Sequence, residues 1–557
     1  MTLKNKIITL LSIMALNIPT TGILAQEKTS FTLQDVIPGG DNYFNLIPKR
    51  MSGLKWWGDV CIRTGVEEIV SIDTKNGKEK TIITLDEVNT ALQADEKTKG
   101  IKQLRSLMGS SMPWGDEKEI LLSHDGNIIV YDFEDKVVKS AIKINKGAAN
   151  IDFCKESMTV AYTVGDNLHI ASEKIADKQV NPDIDIEKAA CGGNDIHDII
   201  YGQAVHRNEF GIYKGTFWSP EGKYLAFYRM DQSMVTDYPQ VNTTTRTATL
   251  EPDKYPMAGM TSHKVTVGIY NPESGKTVYL DAGDPTDRYF TNISWAPDEE
   301  NIYVIEVNRD QNYAQLVKYD AETGKKIGVL YEESHPKYVE PQHPLTFLPW
   351  DETKFIYQSQ RDGFNHLYLF DTKKPRPVTL ELIEGMNKYK EYVEVKQLTK
   401  GNWLVQDILG FNEAKKEIII ASTEVSPLQT NIYSLNIKSG KRTLIGKEDG
   451  NHRAQLSAGG TYIIDNMTSF SVAGETSILP TNGKKGVTIF TSSDPMPEKF
   501  NMPEITLGTI KAADGKTDLY YRLIKPVNFD PNKKYPAIIY VLSLIHISEP
   551  TRPEPIS

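Results

Sequence analysis

The sequence predicts a mostly β protein in which a β-propeller is followed by the first strands of an α/β domain. Three observations lead to this prediction. From about residue 45 to residue 500 the chain alternates short β-type segments with turn residues, a strand–turn unit recurs, and the pattern changes after Pro503. Residues 84–106 depart from the strand pattern, and there we expect a helix.

The first repeated unit is a turn in which an Asp or Asn stands four residues before a Gly. The Asx side chain can accept hydrogen bonds from the backbone that follows it, and the Gly tolerates the positive φ that closes a hairpin loop. Each copy therefore predicts one hairpin. The four copies are SIDTKNGK (71–78), IYNPESGK (269–276), KYDAETGK (318–325) and SLNIKSGK (434–441).

A second repeated phrase has an aromatic residue that ends one strand, a polar turn, and an apolar strand that returns. It occurs as WSPEGKYLAF (218–227), as WAPDEENIYVIEV (295–307), and more weakly as FCKESMTVAYTV (153–164). This order is typical of the inner hairpin of a propeller blade. A β-sandwich with similar hairpins is the alternative, and the number of copies favours the propeller.

The segment after residue 503 reads as the beginning of a different domain. Two alternating strands are followed by a polar loop, Pro526–Lys534, and by a fully apolar strand, Ala537–Val541. A continuous apolar strand predicts burial on both faces of a sheet, so we expect residues 504–541 to begin an α/β domain.

Residues 542–557 contain three prolines and continue neither the strand pattern nor a helical period. They resemble the translation of a sequencing adapter, and we interpret them as an artefactual tail. His546 and Ser548, which lie in this tail, are therefore not predicted to be catalytic.

The N-terminus has the pattern of an export signal. Lys4 and Lys6 precede an apolar run, Ile7–Ile18, that is too short to span a bilayer comfortably. We expect residues 1–25 to be a signal peptide, 26–44 an N-terminal segment and 45–503 the propeller. The mature protein is then expected in the periplasm or secreted, without a membrane anchor, and a retained N-terminal anchor is the alternative.

The composition limits the classes of partner. Hydrophobic residues make up 39% and charged residues 24%, and a formal net charge of −10 without a basic run argues against binding of nucleic acid. Cys61, Cys154 and Cys191 match no zinc-site spacing, and small buried hydrophobes are the favoured interpretation, although one disulfide in any of three pairings is possible. No metal or organic cofactor is expected.

Five separated motifs carry a family resemblance. They are the stretch 201–231, YPMAG (255–259), SHKVTVGIY (262–270), RDGFNHLYLFD (361–371) and KKYPAIIYV (533–541). Together they resemble the prolyl oligopeptidase family of serine peptidases, and within it they are most similar to the dipeptidyl peptidase IV branch and its bacterial prolyl tripeptidyl members. The resemblance implies an eight-bladed propeller that caps an α/β-hydrolase domain, a substrate cavity between them, and a homodimer.

The resemblance gives Glu209 a candidate function in substrate binding. A fixed carboxylate can form a charge-assisted hydrogen bond with the ammonium at a free peptide N-terminus, which an internal peptide bond cannot form. The dipeptidyl relatives have adjacent glutamates at this turn, whereas this chain has a single glutamate in HRNEF (206–210), which favours tripeptide release. An ordinary solvated loop acid is the alternative, and we assign no role to His206 or Arg207.

The catalytic serine of this fold is expected in a G-x-S-x-G elbow, followed by an acid and a histidine. The printed sequence contains no G-x-S-x-G, so this chain is predicted not to hydrolyse peptides and no catalytic residue is assigned in it. We expect the gene to encode a serine exopeptidase that releases Xaa-Xaa-Pro tripeptides from proline-containing peptides. Dipeptide release and a noncatalytic peptide-binding propeller are the alternatives.

Overall fold

The computed structural model describes residues 28–181, 198–382 and 388–540, without the side chains of Arg207, 377–382 and 388. The predicted signal peptide, the predicted tail and Cys191 lie outside these residues. The chain divides into two compact units. One unit spans Met51–Thr491, and the other contains the described residues on either side of it.

The unit Met51–Thr491 consists of eight consecutive antiparallel sheet units, which we number as blades 1 to 8. Blade 1 contains β1 Leu54–Trp57, β2 Val60–Thr64, β3 Glu68–Ile72 and β4 Glu79–Thr84. Blade 2 contains β5 Glu119–His124, β6 Asn127–Asp132 and β7 Val137–Lys143. Blade 3 contains β8 Ala149–Cys154, β9 Thr159–Val164, β10 Asn167–Ala171 and β11 Lys178–Gln179.

Blade 4 contains β12 Ile199–Tyr201, β13 Thr216–Trp218, β14 Leu225–Asp231, β19 Lys264–Asn271 and β20 Lys276–Tyr279. Between β14 and β19 lie two short ladders built from β15 Asp237–Tyr238, β16 Val241–Asn242, β17 Thr249–Leu250 and β18 Asp253–Lys254. Blade 5 contains β21 Arg288–Trp295, β22 Asn301–Asn308, β23 Tyr313–Asp320 and β24 Lys326–Ser334.

Blade 6 contains β25 Thr346–Leu348, β26 Asp351–Ser359, β27 His366–Leu382 and β28 Lys388–Gln397. Blade 7 contains β29 Val405–Asn412, β30 Glu417–Ser422, β31 Asn431–Asn436 and β32 Arg442–Ile445. Blade 8 contains β33 Asn451–Leu456, β34 Tyr462–Thr468, β35 Gly474–Pro480 and β36 Val487–Ser492.

The blades close into a ring through apolar clusters that lie between neighbours. Each pair of consecutive blades shares one cluster of buried side chains. A further cluster joins Leu54 and Cys61 of blade 1 to Ile464 and Ile478 of blade 8. Packing of the first blade on the last is what closes a propeller, and it confirms the predicted mostly β, eight-bladed architecture.

The four predicted Asx–Gly hairpins are confirmed. Each Gly has a φ between +69° and +72°, and its N–H donates to the carbonyl of the Asx residue four positions earlier at 2.8–2.9 Å. Each hairpin connects the last two strands of its blade. The Gly–Asx pairs are Gly77 with Asp73, Gly275 with Asn271, Gly324 with Asp320, and Gly440 with Asn436.

The predicted helix is present but shorter than expected, because it spans Leu85–Ala94 and a turn follows it. Its first turn is fixed by a capping box in which the Glu87 N–H donates to Thr84 Oγ1 at 3.3 Å and the Thr84 N–H donates to Glu87 Oε2 at 3.2 Å. In the described part of the chain, no helix has the length and hydropathy of a membrane-spanning segment.

Blades 5 and 6 differ from the other blades because they form one continuous eight-stranded sheet. Their outer strands β24 and β28 pair with each other, from Tyr331 opposite Glu391 to Ser334 opposite Lys388. The long strands β27 and β28 make this contact possible, since they extend beyond the rest of blade 6. The edge that an isolated blade would leave unpaired is thereby covered.

The second unit contains short helices at Leu33–Val36, Tyr43–Leu46 and Met496–Lys499. A parallel bridge joins Thr29 to Phe500, and the Thr29 N–H donates to the Lys499 carbonyl at 3.2 Å. The two predicted strands after residue 503 are confirmed as the hairpin of β37 Ile505–Lys511 and β38 Asp518–Ile524.

The strand predicted at Ala537–Val541 is not observed over residues 537–540. A strand requires a neighbour that accepts and donates its backbone hydrogen bonds, and no described strand pairs with these residues. The side chains of Ile538 and Ile539 are accordingly 97% and 86% exposed.

Two of the three cysteines lie in described residues. Cys61 and Cys154 are buried free thiols, and burial raises the pKa of the Cys61 thiol to about 12. Both therefore fit the interpretation as small buried hydrophobes.

Candidate functional site

Residues 202–215 interrupt the innermost strand of blade 4. On one side of this segment β12 pairs with residues 229–231 of β14, and on the other side β13 pairs with residues 225–227 of the same strand. The first strands of blades 1 and 8 contact each other, as expected for the strands that line the central channel of a propeller. The interrupting segment therefore leaves the sheet at a channel-lining strand.

The centre of this segment is a 3-10 helix, His206–Gly211, which we call the strained turn. Three of its non-glycine residues have a positive φ: +54° at His206, +63° at Asn208 and +56° at Phe210. Each such conformation costs about 1–2 kcal/mol for a residue with a Cβ atom. Strain of this kind persists where the surroundings enforce it, and it concentrates at functional sites.

Apolar side chains fix the strained turn at both ends. Phe210 is 1% exposed and belongs to the core cluster between blades 5 and 6. Val205 and Ile212 belong to the cluster between blades 4 and 5. The segment that starts in blade 4 thus crosses blade 5 and is held by two interblade cores, which offset the cost of its backbone conformation.

Glu209 is exposed between these buried neighbours. Its backbone carbonyl accepts a hydrogen bond from the Ile212 N–H at 3.1 Å, which closes the turn. Among the described residues its carboxylate has neither a hydrogen-bond nor an ion-pair partner, so it remains available to a ligand. Binding of an ammonium group there stays a prediction, and the side chain of Arg207 lies outside the described part of the chain.

A pair of buried histidines joins the strained turn to the segment before β19. His206 Nδ1 and His263 Nε2 are 2.9 Å apart, and the two residues are 3% and 8% exposed. The ring of His206 also contacts Tyr289 edge to face at 4.8 Å between centroids. Sequence reasoning missed this pair, although both histidines lie in motifs that carried the family resemblance, because 57 residues separate them.

Burial, with a smaller contribution from His263, holds the pKa of His206 well below its ordinary value. Burial also lowers the pKa of His335 and of His343. The unfolded chain therefore binds protons at these sites at a higher pH than the folded protein does. The contribution of these histidines to the free energy of unfolding is fully present above their unfolded pKa of about 6.5. It is lost as the pH falls below that value, because the unfolded chain then binds protons that the folded protein does not.

We expect the free energy of unfolding to decrease from pH 7 to pH 5.5, by up to about 1.4 kcal/mol per pH unit for each such histidine. Urea unfolding at pH 7.5, 6.5 and 5.5 measures this slope. A His206→Asn variant should show a smaller slope than the unmodified protein. An unfolding midpoint that is independent of pH over this range would contradict the prediction.

The RDGFNHLYLFD motif contributes a buried arginine that contacts the core between blades 5 and 6. Arg361 is 2% exposed, its Nη1 donates to Glu391 Oε1 at 2.9 Å, and its Nε donates to Ser359 Oγ at 3.3 Å. The guanidinium carbon lies 4.2 Å and 3.9 Å from the ring centroids of Tyr331 and Tyr368. Tyr331 belongs to the same core cluster as Phe210, so this arginine supports the core that anchors the strained turn.

Comparison with known proteins gives the family. Residues 115–473 match the family model described as "Dipeptidyl peptidase IV (DPP IV) N-terminal region". The matched segment runs from blade 2 into blade 8 and includes the strained turn and the histidine pair. The chain belongs to the dipeptidyl peptidase IV N-terminal region family. The resemblance of its motifs to the dipeptidyl peptidase IV branch of the prolyl oligopeptidase family is thereby confirmed.

Solved structures of this family agree with the fold. A "putative dipeptidyl aminopeptidase IV" from Bacteroides ovatus is 49% identical, with a TM-score of 0.82, and the match covers 91% of this chain and 69% of that one. The dipeptidyl peptidase 4 of Porphyromonas gingivalis is 20% identical over the same shares of the two chains, with a TM-score of 0.68, and supports the fold alone.

Among curated relatives in the family, a "Probable dipeptidyl-aminopeptidase B" of Phaeosphaeria nodorum is 24% identical over 462 residues. That match covers 76% of this chain and 47% of the relative. The chain therefore spans about half the length of the curated relatives it matches.

Proposed function

We propose that this chain provides peptide recognition for a serine exopeptidase of the dipeptidyl peptidase IV branch, and that Glu209 binds the free N-terminal ammonium of a proline-containing peptide. The supporting observation is the carboxylate of Glu209, which is exposed on a strained turn at a channel-lining strand. A polar side chain on a rigid, strained support is the arrangement expected of a preorganised binding group.

The chemistry of a carboxylate suits this task. A hydrogen bond to a charged group contributes about 1.5–3 kcal/mol, which corresponds to roughly 10–100-fold in affinity. An acetylated N-terminus has no positive charge and cannot form this bond. The carboxylate therefore selects peptides with a free N-terminus, which is the selectivity that an exopeptidase needs.

The number of residues released depends on the distance between this carboxylate and the nucleophile. We propose tripeptide release, since the strained turn has a single glutamate where dipeptidyl relatives have adjacent glutamates. Dipeptide release is the second candidate, and the name of the 49% identical Bacteroides ovatus protein favours it.

Binding to the chain itself tests the role of Glu209. We expect Ala-Ala-Pro-amide to bind about 10–100-fold more tightly than its N-acetyl derivative, as measured by saturation-transfer NMR. Glu209→Gln should remove this preference, because the variant keeps the size of the side chain and loses its charge. Glu273→Gln, at an exposed glutamate of the blade 4 hairpin, is the matched control and should retain it.

Equal binding of the free and acetylated peptides by the unmodified chain would overturn the proposal, and so would an unchanged preference in Glu209→Gln. We propose hydrolysis only for the full-length gene product, because the printed sequence has no G-x-S-x-G. Chromogenic tripeptide and dipeptide substrates that end in proline separate the two candidate specificities. Release of dipeptides alone would defeat the tripeptidyl assignment.

We also propose that residues 1–25 direct export to the periplasm or the medium and that the full-length protein is a homodimer. N-terminal sequencing of the mature protein checks the first proposal, which requires a start near Gln26. Sedimentation of the full-length protein checks the second, and a monomer at micromolar concentration would contradict it.

A further inference from the structure

His206 of the strained turn and His263 form a hydrogen bond that needs one donor and one acceptor. With His206 Nδ1 and His263 Nε2 at 2.9 Å, one of these nitrogens carries the shared proton and the other accepts it. Both rings are buried, and the bond joins the strained turn to residue 263, in the segment that leads into β19. A turn that is inserted into the inner strand is thus tied to a second segment of the same blade.

The other nitrogen of His206, Nε2, is buried and makes no hydrogen bond with any described residue. Leaving a buried polar atom without a partner is unfavourable, so a phenylalanine or leucine would pack at this position at a lower desolvation cost. Among the described residues, the hydrogen bond of this ring is therefore the one between its Nδ1 atom and His263.

The position of Glu209 follows from its two buried neighbours. Phe210 holds the C-terminal side of the turn in the core between blades 5 and 6, and His206 holds the N-terminal side through His263 and Tyr289. Without the second attachment, the positive φ at His206 and at Asn208 would depend on Val205, buried in the core between blades 4 and 5, for support from the N-terminal side. Relaxation of this backbone would move the carboxylate, since Glu209 lies directly after Asn208.

We propose that His206 and His263 are positioning residues for recognition of the peptide ammonium, because their hydrogen bond holds the strained turn in the conformation that presents Glu209. This inference rests on the proposed function. It assigns the selectivity for a free N-terminus to a buried imidazole pair as well as to the carboxylate.

The test uses His263, because it lies outside the strained turn and its φ is not positive. Glutamine places its terminal amide near the position of the imidazole Nε2, whereas asparagine reaches only to the position of Nδ1. His263→Gln therefore can keep the bond to His206, and His263→Asn, which has the same polarity, cannot. His263→Leu removes the polar group altogether.

The quantity to measure is the ratio of affinities of the full chain for Ala-Ala-Pro-amide and its N-acetyl derivative, by saturation-transfer NMR. We expect a ratio of about 10–100 for the unmodified chain, and a ratio for His263→Gln that lies within a factor of about three of that value. For His263→Asn and His263→Leu we expect a ratio below about 3. His452→Leu is the control for general destabilisation, because His452 is a buried histidine of blade 8 that pairs with Asp465 at 2.7 Å. It should lower the melting temperature and keep the ratio.

The outcomes distinguish this inference from the proposed function. A ratio near one in the unmodified chain overturns both. A ratio that stays high in His263→Asn, while Glu209→Gln abolishes it, overturns the positioning role alone. If His263→Leu does not fold, the comparison of His263→Asn with His263→Gln decides the question, since both variants fill the site with an amide.

Discussion

Replacement of Arg361 by alanine is expected to lower the free energy of unfolding by about 3–5 kcal/mol, because it removes one of the charged partners of the buried carboxylate of Glu391. Arg361 is 2% exposed, and Glu391 is 7% exposed. Arg376 Nη1 also donates to Glu391 at 2.7 Å, so part of the carboxylate charge remains compensated in the variant. The loss should therefore lie toward the lower end of the range.

The geometry of the site also predicts that lysine cannot replace this arginine. The guanidinium donates from two different nitrogens, and its central carbon lies 4.2, 3.9 and 4.8 Å from the ring centroids of Tyr331, Tyr368 and Tyr389. A lysine ammonium is a point charge without a planar face, so Arg361→Lys should recover less than half of the loss.

Chemical denaturation of the alanine and lysine variants measures these effects. The control is Arg63→Ala, which removes an ion pair to Glu79 at 2.6 Å whose side chains are 28% and 38% exposed. Exposed pairs contribute about 0–1 kcal/mol, so this variant should unfold close to the unmodified protein. Similar losses for Arg361→Ala and Arg63→Ala would show that burial of the arginine network does not stabilise blades 5 and 6.

The propeller was predictable because its signals are local. In the hairpin at Asp73, Oδ1 accepts from the Lys75 N–H at 2.8 Å, and Gly77 closes the loop four residues later. All donors and acceptors of such a turn lie within one short stretch of sequence. A repeat of these stretches then implies a repeated sheet, and packing of consecutive sheets gives the ring.

The support of the candidate site was not predictable, because its contacts are distant in the sequence. Phe210 belongs to the segment that interrupts the inner strand of blade 4, but its side chain is buried in the core between blades 5 and 6. His206 and His263 are 57 residues apart, and the pairing of β24 with β28 is equally remote. The family motifs pointed to Glu209, but its neighbours become visible only when these segments are brought together. The strand expected at 537–541 shows the opposite case, in which an apolar sequence alone did not produce a strand over the described residues 537–540.

Replacement of Gly211 by alanine is expected to displace the strained turn and to lower the free energy of unfolding by about 2–5 kcal/mol. Gly211 has a φ of +72°, which an alanine adopts only at a cost of about 1–2 kcal/mol. A Cβ atom at this position would also lie 2.3 Å from the carbonyl oxygen of Gln342. That oxygen belongs to the backbone and cannot rotate away.

The segment around Gln342 is itself held in place, since Asn292 Nδ2 donates to the neighbouring Pro341 carbonyl at 3.0 Å. The clash must therefore be relieved by movement of the strained turn, which carries Glu209 two residues before Gly211. We expect Gly211→Ala to reduce the preference of the chain for Ala-Ala-Pro-amide over its N-acetyl derivative to a ratio below about 3, well short of the roughly 10–100-fold of a charge-assisted hydrogen bond.

The variant Gly259→Ala separates the cost of the positive φ from the cost of the clash with the Gln342 carbonyl oxygen. Gly259 has a similar φ of +76°, but a Cβ atom there has no neighbour within 4 Å. This variant should lose only about 1–2 kcal/mol from backbone strain and should keep the preference for the free N-terminus. If denaturation and peptide binding gave the same results for both glycine variants, contact with Gln342 would not be what positions the turn. A larger effect at Gly211 on both measurements would show that the close approach of Gly211 to the backbone of Gln342 sets the position of the carboxylate.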